Sequence, residues 1–117
     1  MRFRLLVLAA VLTLVGCGGD NGTGVNGDIT VGPGNTFSPQ TLNLTTGRNV
    51  TWAWAGGTHN VTFEDAAPAS GNLSSGTFSR NFTGANAGTY RYRCTIHSAD
   101  FATGMVGSVV VPSGPSP

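Results

Sequence analysis

Between residues 28 and 111 the chain is written in short apolar–polar alternations, each closed by Gly, Pro or Asn. A period of two puts one face of a strand on a core and the other in water. The clearest case is residues 49–55, where Val50, Trp52 and Trp54 alternate with Thr51 and Ala53. Residues 29–31 predict a first strand. Residues 41–44 predict a second, with Leu42 and Leu44 on one face. Residues 60–64 turn Val61 and Phe63 inward. Residues 77–82 align Phe78 with Phe82, but Arg80 falls on the same face, which predicts a bulge or a sheet edge. Tyr90, Tyr92 and Cys94 share a face with Arg91 and Arg93 opposite, and residues 105–111 complete the set. No stretch of this region repeats at the helical period. Many short strands at close spacing predict an all-β fold, a two-sheet sandwich.

The two ends read differently. A basic start, Met1-Arg2-Phe3-Arg4, leads into an apolar run from Leu5 to Val15 that is too short to span a bilayer as a helix. It has the layout of a secretory signal and ends Leu14-Val15-Gly16-Cys17. That ending resembles the lipobox of bacterial lipoproteins, which implies a signal peptide over residues 1–16 and lipid modification of Cys17. An ordinary signal peptide with an incidental Cys is the plainer alternative. A Cys17–Cys94 disulfide is a further rival, since paired cysteines suit exported proteins. Residues 17–27 are Gly-rich with almost no apolar content, as expected of a flexible tether. Residues 112–117 read as a disordered tail by the same logic. One domain, residues 28–111, lies between them. It is small enough for burial alone to be marginal.

Charge narrows the function. Beyond the leader, Arg48, Arg80, Arg91 and Arg93 stand against Asp20, Asp28, Glu64, Asp65 and Asp100, a net charge of about −1 with neutral histidines. The chain has no lysine. With no basic stripe to hold phosphates, nucleic acid is excluded as a partner. Glu64-Asp65 reads as a turn, Arg91 and Arg93 as a solvated face, and Asp100 as a polar loop residue. Trp52 and Trp54 read as core. No Ser–His–Asp set is evident, so catalysis is not expected.

The chemistry concentrates in few residues. The domain holds one cysteine, Cys94, two histidines, His59 and His97, and one methionine, Met105. Each alone would read as core or surface. Together they supply one thiolate, two imidazoles and a thioether, the donor set of a type 1 copper site. Thiolate and thioether suit Cu(I), and imidazole suits both oxidation states. A Zn²⁺ hydrolase would instead want harder ligands and an open water position. Cys94-Thr95-Ile96-His97 is a turn that returns an imidazole beside the thiol. His59 is the only candidate for the second imidazole.

The surrounding motifs resemble the plastocyanin-like cupredoxins. The resemblance rests on Phe37-Ser38-Pro39, Leu42-Asn43-Leu44, Gly47, Val50-Thr51-Trp52 and His59-Asn60-Val61. It continues through residues 88–97, which end Arg93-Cys94-Thr95-Ile96-His97, and residues 104–111, which begin Gly104-Met105-Val106-Gly107. It implies a Greek-key sandwich that binds one type 1 copper through His59, Cys94, His97 and Met105. It gives His59 as the buried imidazole and His97 as the one whose edge passes the electron. It implies that Asn60 ties the two ligand loops together by hydrogen bonding. Two departures stand out. Residues 98–104 separate His97 from Met105 where plastocyanins have His-x-x-x-x-Met, which leaves the Met105 distance and the potential open. Arg93 occupies the position of their tyrosine, and no acidic cluster is present, so an apolar patch of Ile96, Phe101 and Ala102 is the expected docking surface.

The resulting expectation is a monomeric, lipid-anchored electron carrier of the bacterial cell envelope. Its partners would be membrane or periplasmic redox proteins such as a cytochrome, oxidase or reductase. The alternatives are a module that sequesters or delivers copper without redox turnover, and an adhesion or scaffold sandwich with a vestigial site.

Overall fold

A computed structural model describes residues 27–113. The expected signal peptide over residues 1–16, Cys17, nearly all of the expected tether and most of the expected tail lie outside the described residues. Eight strands follow in order: β1 (Ile29–Val31), β2 (Phe37–Ser38), β3 (Thr41–Asn43), β4 (Asn49–Trp54), β5 (Thr62–Phe63), β6 (Thr77–Asn81), β7 (Gly88–Arg93) and β8 (Val106–Val111). Among the described residues there is no helix, and hence none to cross a membrane. The strands form two mixed sheets, β2-β1-β4-β6 and β3-β8-β7-β5. β1 runs parallel to β4 and β3 parallel to β8, and the other neighbours are antiparallel.

The all-β expectation holds, and the alternation explains why. Val50 and Trp52 on β4, Tyr92 on β7 and Val109 on β8 are fully buried and face one another across the sandwich. Trp52 lies edge-on to Tyr92 at 5.4 Å and to Phe63 at 5.6 Å. Such offset aromatic pairs add to the area they bury. Gly107 sits opposite Tyr92 in the β7–β8 register, and a Cβ there would come within 2.5 Å of the phenol ring. Only glycine leaves room for the ring to cross the neighbouring strand.

Two details differ from the sequence reading, and a third decides between its alternatives. β2 was not predicted. It is two residues long, too short for an alternation to show, yet Phe37 packs at 4.7 Å on Tyr92. The strand expected over 60–64 is regular only at Thr62–Phe63, because His59 and Asn60 are drawn into side-chain and bridge contacts instead. Arg80 resolves as a sheet-edge residue without a bulge, since β6 keeps continuous register with β4 from Asn49↔Asn81 to Ala53↔Thr77. Its guanidinium lies 4.4 Å from the Phe63 ring centroid, 4.7 Å from Phe82 and 5.1 Å from Tyr90, and it pairs with Asp65. The charge thus covers the aromatic edge of the core while remaining in contact with water.

Candidate metal centre

His59, Cys94 and His97 meet at one end of the sandwich. His59 follows the Gly56–Gly57 corner after β4. Its backbone is fixed by reciprocal hydrogen bonds with Leu73, and the Trp54 indole donates to its carbonyl at 3.2 Å. Trp54, expected only to pack, therefore also holds a site residue. Cys94 directly follows β7 and His97 closes the turn, with its N–H donating to the Cys94 carbonyl.

The side chains converge. The two Nδ1 atoms lie 3.3 Å apart, and Cys94 Sγ is 3.5 Å from Nδ1 of His97 and 3.9 Å from Nδ1 of His59. Borderline metals sit about 2.0 Å from imidazole nitrogen and about 2.3 Å from thiolate sulfur. A trigonal plane with those lengths needs roughly 3.5 Å between nitrogens and roughly 3.7 Å from sulfur to nitrogen. The observed triangle fits that requirement. It also sets two ring nitrogens so close that their lone pairs oppose each other unless a cation or proton stands between them. Cys94 is a buried free thiol, so its sulfur is available to the site.

His59 is 1% exposed, and burial followed by repulsion from His97 lowers its pKa below the ordinary imidazole value. A neutral imidazole is the form that binds metal. Its Nε2 is buried without a well-aligned hydrogen bond and faces the Pro33 carbonyl.

Met105 is 1% exposed. Its main chain lies beside those of Cys94 and His97. Its carbonyl accepts from the Cys94 N–H at 3.0 Å, and its own N–H donates to the His97 carbonyl at 3.4 Å. Residues 98–104 are an excursion closed at its base by these two bonds. Gly104, at φ +82°, makes the return; a Cβ there would lie 2.6 Å from the His97 carbonyl oxygen.

Asn60 joins the two ligand segments. Its Oδ1 accepts from the Thr95 N–H at 3.1 Å, and its Nδ2 donates to the Thr95 hydroxyl at 2.9 Å and to Asn72 Oδ1 at 2.9 Å. The Thr62 hydroxyl donates to Oδ1 as well.

Several contributors escaped sequence reasoning. Arg93 is only part-exposed, not a solvated residue. It donates to the Ser98 carbonyl, and its guanidinium lies 5.2 Å from the Phe101 centroid. Ser98 is buried, and its hydroxyl contacts the carbonyls of Asp100 and Thr103. The Asp100 carboxylate accepts from the N–H groups of Ala102 and Thr103, which hold its pKa below the usual range. Asp100 is thus a loop brace. Serine hydroxyls and one arginine carry no spacing signal that would have marked these contacts. Arg91 is exposed, as expected, and it also pairs with Glu64. On the surface beside His97, Ile96 is 48% exposed, whereas Phe101 is half-buried.

These features define a type 1 copper fold, and comparison with known proteins agrees. Residues 25–112 match the copper binding proteins of the plastocyanin/azurin family, and the chain belongs to that family. Its cofactor is one type 1 copper ion, and copper-based electron transfer is the family's general activity. A purple cupredoxin from Nitrosopumilus maritimus is similar at 26% identity, over 71% of this chain and 96% of that one, with a TM-score of 0.58. A reduced Cu(I) amicyanin variant is similar at 30% identity, over 71% and 78%, with a TM-score of 0.56. The copper-containing nitrite reductase of Thermus scotoductus SA-01 shares the fold at 22% identity, over 74% of this chain and 22% of that one, with a TM-score of 0.57. No curated protein sequence matches the chain.

Proposed function

We propose that the protein is a one-electron carrier of the bacterial cell envelope and not an enzyme. Its copper is held by Nδ1 of His59, Sγ of Cys94 and Nδ1 of His97, with Met105 as the weak axial ligand. The observation that carries this reading is the triangle of donor atoms 3.3, 3.5 and 3.9 Å apart at the end of a rigid sandwich. Copper supplies the change of oxidation state. The chain's part is to hold the donors so that little moves between the two states. The Cys94 and Met105 main chains are bonded directly to each other, and Asn60 fixes the turn between the cysteine and the second histidine.

The surface around His97 supports docking without charge steering. Among the described residues, Arg48 pairs with Asp28, Arg80 with Asp65 and Arg91 with Glu64, so little charge is left for a partner to read. Ile96 is the exposed large apolar side chain beside the site. Partners are redox proteins of the membrane or periplasm, met by a monomer tethered through a lipid on Cys17.

The test is spectroelectrochemistry on the copper-loaded chain. The carrier reading expects a thiolate-to-copper band that bleaches on one-electron reduction and returns on oxidation over many cycles. Loss of copper on reduction would instead support the delivery alternative. Lipidation is tested by the mass of the protein extracted from native membranes, set against Cys17→Ser.

A further inference from the structure

Arg93 sits in an unusual place. It directly precedes Cys94 on β7, a central strand flanked by β5 and β8, and its backbone pairs with Thr62 and Val106. Alternation sends its side chain to the face opposite Tyr92 and Cys94. There the loop between His97 and Met105 folds over it. One N–H donates to the carbonyl of Ser98, the residue after His97, and the guanidinium covers the Phe101 ring. Its Nε is buried without a partner, a cost accepted to keep the group in this position. Asp100, drawn down in pKa partly by Arg93, braces the loop from within.

Resting on the ligand assignment above, we propose that Arg93 is a positioning residue for the copper centre, acting through residues 98–104 on both His97 and Met105. A loop of this length, fastened only at its base, would let both ends shift. Arg93 adds a second fastening on the outer face, one residue from His97 and three from the glycine that leads into Met105. The guanidinium suits this role because one planar group can hydrogen-bond a carbonyl and stack on a ring together.

The test compares Arg93→Met and Arg93→Lys with the parent chain, metal-free and copper-loaded. In metal-free Arg93→Met, amide exchange at His97 and Met105 should quicken by about tenfold, the loss expected for one charge-assisted bond, while the β4 amides hold their rates. In the loaded protein the thiolate band should move in Arg93→Met and move back toward the parent in Arg93→Lys. Unchanged loop exchange overturns the proposal, as does faster exchange with an unmoved band. A parent chain without any thiolate band would overturn the carrier reading instead, and the metal-free exchange would still decide whether Arg93 holds the loop.

Discussion

Replacing Asn60 by Ala tests how the two ligand segments are held together. Asn60 is 4% exposed and makes four side-chain hydrogen bonds, to Thr95 N–H, Thr95 Oγ1, Asn72 Oδ1 and Thr62 Oγ1. Each contributes about 0.5–1.5 kcal/mol net, and a buried group left without a partner costs about 1–3 kcal/mol. Thr95 and Asn72 are exposed and Thr62 is half-exposed, so water recovers part of the loss. The expected cost is therefore about 2–4 kcal/mol, a large share of the roughly 5–15 kcal/mol that holds a small domain. Urea unfolding of the metal-free protein should show the midpoint fall with m unchanged. Thermal unfolding should drop by roughly 10–25 °C. Copper affinity should fall by about 10–100-fold, the usual effect of removing a residue that orients ligands. A destabilisation below about 0.5 kcal/mol with affinity intact would refute the view that Asn60 ties the segments together.

Other outcomes follow from the same geometry. Gly107→Ala should destabilise by about 1–3 kcal/mol through collision with Tyr92, and denaturant midpoints should show a smaller cost in a Tyr92→Leu background. Hydrogen bonds from Arg80 hold the Asp65 carboxyl below its ordinary range. Stability from this pair is thus complete above the unfolded pKa of about 3.9 and is lost as pH falls through the depressed value. Asp65→Asn should flatten that acid limb in unfolding curves taken from about pH 6 down to about pH 2, the parent's loss falling in the part below about pH 4. Ile96→Asp should slow electron transfer to the native partner by about tenfold while leaving the thiolate band in place, as read by stopped-flow mixing.

Much of the fold was legible because the alternation is strong where burial is deep. Val50, Trp52 and Trp54 on one strand, and Tyr90, Tyr92 and Cys94 on another, could face only one way. The donor set was legible because the domain has so few cysteine, histidine and methionine residues. Distances were not legible. Sequence spacing leaves the distance of Met105 from the site open across residues 98–104, and two backbone bonds at the base of the loop keep its main chain beside Cys94 and His97. Those bonds depend on Gly104 taking a positive φ and on Ser98 and Asp100 turning the loop back on itself, contacts with no periodic pattern. Arg93 was misread for a related reason. Alternation correctly put it outside the core, but a loop rather than water covers that face.

The central claim is a copper centre with Cys94 as its thiolate ligand. The most direct test is the visible absorption spectrum of residues 18–117 after adding Cu(II), set against Cys94→Ser. An intense thiolate-to-copper band, present in the parent and lost in the variant, is the predicted result. Weak copper colour that is the same in both proteins would contradict the claim.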